Sequence, residues 1–439
     1  MKSNSKSSIL KVQKYGFVKI IIIIPLLFFQ IRYGIIPAWN EINSDFPNYY
    51  TSAKLILEGR DVSRIYDDIW FQKNISSYGI IEQGKFSPFP PPDAFIMIPA
   101  AYSQPLAAKR AFLIFNIILT SFTAFTIKKN SGLSYVSSYI IILLSGAALS
   151  NNLLLGQFYL ILITMTLYGY RHFLKNAGYS AGILWGAGSA LKYFPVIFLP
   201  VILMKKDWKT LFSMIITLVL INAAALIVMG MEVYVQFFQK VLVSHMNGNL
   251  SNQSNYAVSF QSWNSFLRNV FVYNMYENIS PDFNSLEAFY IVRSAVYFGF
   301  ITGTLVVLYR LRNNGNIIPY STVIISLLAF VLSPASASYH LLLLVLPVIL
   351  LLRLASDMHS FYSIYFVVLY AAIGFSPFFL SKVNKEVAGL FLVYTRLWMI
   401  VIFYISSVWF ILLHGRKNHN KKYDHLSEIP SAAPFSVDL

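Results

Sequence analysis

An aspartate just after the first apolar segment is the residue best placed to do chemistry. Asp45 opens the run Asp-Phe-Pro-Asn-Tyr-Tyr, and the segment that follows ends at Gly59. A carboxylate fixed there can act as a general base toward a substrate hydroxyl group. The pattern is also typical of a helix N-cap, because proline favours the first turn and glycine follows the end. The two roles are compatible, so the sequence leaves both open.

Two tyrosines follow Asp45 on the apolar face of a predicted amphipathic helix. Between Phe46 and Leu57, apolar side chains share one broad face and the polar ones point elsewhere. Such a helix suits the lipid–water interface, where tyrosine is favoured. Packing against neighbouring helices explains the same pattern. Tyr49 and Tyr50 are candidate substrate-binding residues.

Lys192 and Tyr193 lie in the middle of an apolar segment, in the run Ala-Leu-Lys-Tyr-Phe-Pro. A charged side chain at that depth is costly in a bilayer, which makes it a functional candidate. Lys192 can hold a phosphate as a point charge, with Tyr193 beside it. The alternative is a lysine that snorkels to the interface.

Other polar residues stand at the predicted ends of apolar segments. Gln157 follows a glycine, and its amide can bind a sugar hydroxyl group or hydrogen bond to another helix. In the run from Trp263 to Arg268, the arginine can pair with phosphate, and the tryptophan can stack on a sugar or an isoprene. Interfacial anchoring explains that run equally well. His340 can donate to a phosphate, take part in proton transfer, or make a polar contact at a helix start.

The composition indicates what must position these residues. Of the 439 residues, 56% are apolar and 12% are charged, and the mean hydropathy is +0.59. Several stretches of about 18 residues have almost no charge, which is enough to cross a bilayer as a helix. We therefore predict an all-α polytopic membrane protein with about 10–13 transmembrane helices.

Charge and motifs argue against several classes of function. The formal charge of +16 would suggest nucleic acid in a soluble protein. Here Lys and Arg gather in short loops, as expected on the cytoplasmic side of a membrane, and we predict no nucleic-acid partner. The sequence has no cysteine, no nucleotide-binding glycine loop and no metal-ligand spacing. We therefore predict no cofactor and no metal.

The predicted spans lie near residues 16–36, 106–127, 133–150, 153–171, 210–229, 286–310, 317–333, 339–354, 360–380 and 392–414. The segment 179–204 is either one span or a hairpin of two short helices. The hairpin places Lys192 at its tip and keeps the cluster Lys205, Lys206 and Lys209 on the cytoplasmic side, with both termini. Irregular backbone at the tip then requires a surrounding cavity.

Two long polar stretches, about 37–93 and 231–284, are predicted to lie on the extracytoplasmic side. We assign residues 1–414 to one transmembrane domain and residues 415–439 to a disordered, basic cytoplasmic tail. A bacterial inner (plasma) membrane is the expected location.

Taken in order, these motifs resemble those of glycosyltransferase family 87, also known as domain of unknown function 2029. That family comprises polyprenyl-phosphate-mannose-dependent mannosyltransferases and relatives with the GT-C membrane fold. The resemblance covers roughly residues 40 to 350. The matching residues are Asp45, Tyr49-Tyr50, Leu57-x-Gly59 and Tyr66; Phe86-x-Pro88-x-Pro90; Gly156-Gln157; Lys192-Tyr193-Phe194-Pro195; Asn264-Ser265 with Arg268; and Ser333-Pro334 leading to His340.

The resemblance implies an integral-membrane glycosyltransferase with a GT-C-like fold and an extracytoplasmic aspartate base, which maps onto Asp45. The implied donor is a polyprenyl-monophosphate hexose drawn from the lipid bilayer, with mannose the expected sugar. The acceptor is a glycolipid, a glycan or a protein. We predict inverting transfer, with Lys192, Arg268 and His340 binding the donor phosphate. The predicted substrate-binding residues are Tyr49, Tyr50, Gln157, Tyr193, Trp263 and Asn264.

Two other functions remain open. A transporter or flippase of a lipid-linked or anionic substrate explains the hairpin and Lys192, although not the two long outer stretches. A lipid-linked polysaccharide ligase or polymerase would take an oligosaccharide diphosphate as its donor.

Overall fold

The computed structural model describes residues 18–248, 254–356, 358–380 and 385–427. For 377–380, 385–388 and 418–427, it describes the backbone alone. Within this part of the chain the regular structure is helical, apart from one isolated bridge between Asn274 and Asn278. The predicted all-α class is confirmed.

The principal helices follow one another in chain order. They are α1 (Val18–Asn40), α2 (Phe46–Leu57), α3 (Asp68–Ser77), α4 (Pro105–Ser131), α5 (Tyr135–Leu143), α6 (Ala147–Leu155), α7 (Tyr159–Leu174), α8 (Gly178–Leu191), α9 (Trp208–Met229), α10 (Trp263–Phe271), α11 (Leu286–Leu311), α12 (Ile317–Val331), α13 (Val345–Ala355), α14 (Ser360–Leu380), α15 (Lys385–Val393) and α16 (Thr395–Ser427). Shorter helical turns span Pro91–Phe95, Ile98–Ala101, Phe194–Phe198, Leu199–Lys205, Met231–Gln236, Phe237–Leu242, Val243–Met246, Val258–Phe260 and Ser338–Leu344.

Six helices in the described residues are long and apolar enough to cross a membrane. They are α1, α4, α9, α11, Ser338–Ala355 and Thr395–Lys417. Helices α5 and α6, bent by 76° at the break between them, add a seventh if they form one span. The polytopic membrane class is therefore confirmed, and the predicted number of about 10–13 is reached only by counting shorter apolar helices as well.

Most predicted spans coincide with helices to within a few residues, but the region 133–171 differs. We predicted two straight spans there. The chain instead forms the bent pair α5 and α6, and then α7. The bend lies at Gly146, whose φ is +55°. A Cβ at this position would lie 2.8 Å from the backbone oxygen of Gly374 in α14, so the bend allows a close approach of two backbones.

The segment 179–204 is a hairpin. Helix α8 ends before Lys192, and Phe194–Lys205 then returns alongside it. The Trp185 ring stacks on Phe198, with ring centroids 4.8 Å apart. These two residues are 13 positions apart in the sequence, and a continuous helix would separate them by about 20 Å.

The two ends of the hairpin also meet. Lys205 Nζ donates a hydrogen bond to the backbone oxygen of Phe173, at the end of α7. A Cβ on Gly178, at the start of α8, would lie 2.8 Å from Asp207 Oδ1. Lys192 therefore lies at the tip, and the basic cluster lies at the base, as the hairpin interpretation requires.

Helix α2 is buried rather than interfacial. Nine of its twelve residues are buried, including Tyr49, Tyr50 and the polar Asn48. They pack in a second core beneath the 60–101 segment, separate from the core of the membrane helices. The expectation of a helix lying on the lipid surface is wrong, because the segments that follow α2 cover both of its faces.

The last helix passes the boundary that we placed at residue 415. Helix α16 runs to Ser427, so the first part of the predicted tail is helical. Residues 428–439 lie outside the described residues, and disorder there stays a prediction.

Candidate functional site

A cavity of about 900 Å³ opens where the segment after α1 meets the tip of the hairpin. Its walls come from the starts of α2 and α3, residues 83–90, the turn between α6 and α7, the hairpin tip, and residues 329–343. Five of the residues predicted from the sequence line it: Asp45, Gln157, Lys192, Tyr193 and His340.

The Asp45 carboxylate faces this cavity and does not cap α2. Asp45 has helical backbone angles, and Pro47, at the second helical position, has no N–H to offer. Its Oδ2 instead accepts a hydrogen bond of 2.7 Å from Gln157 Nε2, and the Tyr339 hydroxyl also hydrogen bonds to it. The capping interpretation is therefore wrong, and the carboxylate remains available to a substrate.

Burial raises the pKa of Asp45 above its ordinary value of 3.8. The hydrogen bond from Gln157 and the positive charges of Lys192 and Lys109 oppose that rise. A carboxylate with a raised pKa is a stronger base than an exposed one, which suits proton abstraction from a hydroxyl group.

A tight turn aims Gln157 at Asp45. Gly156 follows α6 with a φ of +66°, in the left-handed region. A Cβ there would strain the backbone and lie 3.0 Å from Phe46 Cδ2. The start of α2 and this turn therefore pack closely, and the Gln157 side chain spans the short distance that remains.

Tyr49 fixes the orientation of the Gln157 amide from behind the cavity wall. It is fully buried, and its hydroxyl donates a hydrogen bond of 2.7 Å to Gln157 Oε1. Lys192 Nζ in turn donates to the Tyr49 hydroxyl over 3.4 Å. Tyr49, predicted to bind substrate, is not among the residues that line the cavity; it joins Gln157 to Lys192.

Lys192 is held by a buried ion pair. Its Nζ lies 2.8 Å from Asp93 Oδ2 and 4.0 Å from the centre of the Phe89 ring. Lys192 is 8% exposed and Asp93 is 0% exposed. Burial raises the pKa of Asp93 to about 6, although the Lys192 charge opposes the rise. The pair holds Lys192 inside the protein, and Lys192 does not snorkel.

Histidine and tyrosine side chains form the wall next to Asp45. The His340 ring packs against Tyr159, with centroids 4.8 Å apart, and against Tyr339 at 5.0 Å. His245 also lines the cavity. Burial and the Lys192 charge lower the pKa of His245, so this imidazole is neutral at pH 7 and can donate a single hydrogen bond.

Lys85 also lines the cavity. The backbone N–H of Lys85 donates a hydrogen bond of 2.8 Å to Asn48 Oδ1. The backbone N–H of Gly84 donates one of 2.8 Å to Gln72 Oε1. These bonds fix the loop that carries the Lys85 side chain. Burial lowers the pKa of Lys85, while the carboxylates of Asp68 and Asp45 oppose that change. Lys85 thus places a cation near Asp45.

The remaining predicted residues do not line the cavity. Tyr50 is buried, and its hydroxyl donates to the backbone oxygen of Ser103. Trp263 packs against Trp398, with ring centroids 5.4 Å apart. We expected Asn264 and Arg268 to lie in one cavity with Lys192, and they do not.

Asn264 and Arg268 belong to a different corner of the molecule. Asn264 Oδ1 accepts a hydrogen bond of 3.1 Å from Arg293. The Arg268 guanidinium lies over the Phe289 ring. The cause is the position of α10, which packs against α11 and turns these side chains toward that helix rather than toward the hairpin.

Sequence reasoning missed several residues of the site. Asp93 follows three prolines and looks like a loop residue. Lys109 lies in the first turns of α4, fully buried, and contacts the Phe46 ring next to Asp45. Tyr339 precedes His340, and its aromatic character alone gives no role. Charged residues are rare beside membrane spans, and that rarity could have pointed to Asp93 and Lys109 as it did to Lys192.

Among the described residues, no group of three or more His, Asp or Glu side chains is arranged to hold a metal ion. The ionisable groups of the cavity are instead single carboxylates, lysines and histidines. Such a set can take a proton from a hydroxyl group and stabilise an anionic leaving group.

Comparison with known families identifies the class of chemistry. The model of glycosyltransferase family 87 matches residues 88–334, more than half of the chain. The chain belongs to glycosyltransferase family 87. No curated protein gives a significant match. This glycosyltransferase family 87 protein is therefore an enzyme that transfers a sugar from a donor to an acceptor, and membership in the family decides against the transporter.

The matched range of glycosyltransferase family 87 includes Asp93, Gln157, Lys192 and Arg268, and Asp45 and His340 lie outside it. The GT-C membrane class that we inferred is consistent with the helical architecture of the chain.

Proposed function

We propose that this enzyme transfers a hexose, with mannose the expected sugar, from a polyprenyl-monophosphate sugar to a glycolipid, glycan or protein. One observation carries the proposal: the Asp45 carboxylate and the Lys192 ammonium reach the same cavity. A chain of hydrogen bonds through Gln157 and Tyr49 joins them. A base and a cation are the two groups that this transfer requires.

Asp45 is the proposed general base. It takes the proton of an acceptor hydroxyl as that oxygen attacks the anomeric carbon of the donor sugar. The bond from the anomeric carbon to the phosphate oxygen breaks, and polyprenyl phosphate leaves with the electron pair. The transition state resembles an oxocarbenium ion, and attack opposite the leaving group inverts the configuration.

Lys192 and His340 are the proposed partners of the donor phosphate. An ammonium group can donate three hydrogen bonds. Lys192 donates one to Asp93 and a longer one to the Tyr49 hydroxyl. The third is left for a phosphate oxygen. Because Asp93 holds the lysine in advance, the cation needs no rearrangement as charge develops on the leaving group.

The polyprenyl chain is proposed to lie along the apolar wall of the cavity. Phe194 and Ile197 of the hairpin and Phe330 of α12 line that side. An isoprenoid next to these side chains stays in an apolar environment while its phosphate reaches Lys192. The sugar then lies between Lys192 and Asp45.

The cavity is proposed to face the extracytoplasmic side of a cell inner membrane, with both termini in the cytoplasm. The base of the hairpin carries Lys205, Lys206 and Lys209, at the end opposite to Lys192. Basic clusters are favoured on the cytoplasmic side, which supports an outward-facing tip and cavity.

Products made by the reconstituted enzyme test the proposal. Liposomes with the full chain receive either a polyprenyl-monophosphate hexose or a polyprenyl-diphosphate oligosaccharide, together with membrane lipid and glycan acceptors. We expect mass spectrometry to detect addition of one hexose from the monophosphate donor, and NMR to show inversion. Transfer of a whole oligosaccharide from the diphosphate contradicts the proposal and favours a ligase or polymerase.

A further inference from the structure

Two arginines meet at one ring on the side of the molecule where α10 contacts α11. The Arg268 guanidinium carbon lies 4.9 Å from the centre of the Phe289 ring, and that of Arg293 lies 5.1 Å from it. Arg293 also lies 5.3 Å from the Tyr290 ring. Aromatic contacts of this kind hold guanidinium groups in place without neutralising their charge.

Neither arginine is paired with an acid. Within the described residues, no carboxylate lies at ion-pair distance from Arg268 or Arg293. Arg293 donates to the neutral Asn264 amide, and Arg268 hydrogen bonds to the Tyr256 hydroxyl. The Arg268 Nε is buried and has no acceptor among the described residues. Glu277 is the nearby acid, since it acts on the same Tyr256, but it forms no ion pair with either arginine. Two guanidinium groups without a direct carboxylate partner favour an anionic ligand.

The corner lies at the end of a membrane helix, among exposed apolar side chains. Arg293 is about two turns from the start of α11, which is long and apolar enough to span a membrane. The loop before it exposes Tyr276 by 84%, Ile279 by 71% and Phe283 by 62%. Aromatic and apolar residues beside a span are typical of the lipid headgroup region, where arginine meets lipid phosphate.

The same loop is rigidly braced. Asn278 Nδ2 donates to the backbone oxygens of Asn269 and Val272, and Asn274 Oδ1 accepts from the N–H groups of Tyr276 and Glu277. The apolar side chains are therefore held outward by a polar framework. A loop built in this way suits insertion into a bilayer surface better than a loop that changes shape.

We propose that Arg268 and Arg293 form a binding site for the phosphate of an anionic membrane lipid. Guanidinium groups match phosphate oxygens with paired hydrogen bonds, and their weak hydration favours the headgroup region. The lipid is either a bulk phospholipid or a polyprenyl phosphate, which share this chemistry. The site is separate from the cavity that holds Asp45, because neither arginine lines that cavity.

The lipid site has a direct structural connection to the catalytic cavity. Asn264, which accepts from Arg293, packs against the backbone at Gly248, where a Cβ would lie 2.3 Å from Asn264 Nδ2. His245, three residues earlier, lines the cavity. The proposed lipid site and the wall of the catalytic cavity therefore share the segment that carries His245.

Lipid retention by the full chain tests the site. The detergent-solubilised protein is titrated with phosphatidylglycerol, polyprenyl phosphate or phosphatidylcholine, and bound lipid is measured by native mass spectrometry. We expect retention of anionic lipid to be about tenfold weaker in Arg268→Gln and in Arg293→Gln, as for loss of one charge-assisted hydrogen bond. Polyprenyl phosphate is tested in the Asp93→Asn/Lys192→Met background, which removes the main cation of the catalytic cavity without leaving a buried charge unpaired.

Arg312→Gln is the matched control. Arg312 lies at the other end of α11, is exposed, and contacts the Tyr309 ring in the same way. The Arg312→Gln variant should leave lipid retention unchanged. Thermal unfolding should show that Arg268→Gln, Arg293→Gln and Arg312→Gln all fold. A loss with phosphatidylglycerol, with polyprenyl phosphate, or with both identifies the source of the lipid.

Any of three results overturns the proposal. In the first, the protein retains anionic lipid and phosphatidylcholine equally. In the second, Arg268→Gln and Arg293→Gln both leave retention unchanged. In the third, Arg312→Gln weakens retention as much as they do. Because the readout is bound lipid and not sugar transfer, failure here is distinguishable from failure of the proposed reaction.

Discussion

Lys192 Nζ lies 2.8 Å from Asp93 Oδ2, and both side chains are shielded from solvent. The lysine comes from the tip of the hairpin, and the aspartate comes from the turn Pro91–Phe95. The pair therefore ties two distant parts of the chain together at the cavity. Burying two charges is costly, and removal of one partner leaves the other without compensation.

Asp93→Asn should lower the free energy of unfolding by about 3–5 kcal/mol, because it leaves a buried ammonium group unpaired. It should also raise the KM for the donor, since Lys192 loses its fixed position. The double variant Asp93→Asn/Lys192→Met should regain much of the stability and remain poor in donor use. Thermal unfolding in detergent and steady-state kinetics give the two measurements.

Glu58→Gln provides the control for this pair, because it breaks the exposed ion pair with Arg60. An exposed pair contributes at most about 1 kcal/mol. If Asp93→Asn is no more destabilising than Glu58→Gln and leaves the donor KM unchanged, the buried pair has neither role.

Asp45→Asn should abolish transfer. General-base catalysis contributes roughly 10²–10⁴-fold to the rate, so kcat should fall by at least about 100-fold. The thermal unfolding midpoint should stay the same or rise, because Asp45 caps no helix and burial disfavours its charge. Asp61→Asn, at an exposed aspartate that accepts hydrogen bonds from Ser63, should keep normal kcat. Normal turnover by Asp45→Asn would assign the base to another residue.

The pH profile of kcat/KM should have an acid limb set by Asp45. The base works when deprotonated, so activity falls as the pH drops through a pKa that burial has raised. The hydrogen bond from Gln157 lowers that pKa, and Gln157→Leu should move the acid limb to higher pH. Gln236→Leu, which removes an amide bonded to Ser63 outside the main cavity, should not. A limb that stays in place or moves to lower pH in Gln157→Leu would contradict this assignment.

Gly182→Ala should destabilise the hairpin. A Cβ at Gly182 would lie 1.8 Å from Ser213 Oγ and 2.4 Å from the backbone oxygen of Thr210, both in α9. Overpacking of this kind costs about 1–3 kcal/mol, and the shift should also disturb Lys192 at the tip. Gly299→Ala is the control, because a Cβ there meets nothing within 4 Å. Equal unfolding midpoints for the two variants would mean that the contact between α8 and α9 is looser than described.

The positions of the membrane helices were largely predictable, because long apolar stretches have few other solutions. The hairpin was predictable from charge, since only a reversal at Lys192 keeps the lysines near residue 205 with the other basic clusters. The break between α5 and α6 was not. It depends on the contact of Gly146 with α14, more than 200 residues later, and no local pattern contains that information.

The candidate site was predictable where a residue type is rare in its surroundings. Asp45, Gln157, Lys192 and His340 are polar groups beside apolar segments, and the fold brings them to one cavity. Arg268 has the same property and lies elsewhere, because its direction depends on how α10 packs against α11. Asp93 was missed because a loop carboxylate looks exposed until its partner is known.

The Gln157 amide has a consequence for turnover. Its NH₂ group donates to Asp45 and its oxygen accepts from Tyr49, so the link between base and lysine runs through a group that neither gains nor loses protons at neutral pH. This link therefore does not carry a proton captured by Asp45 to Lys192. In each catalytic cycle that proton must leave Asp45 through other groups of the cavity or through solvent before the next acceptor reacts.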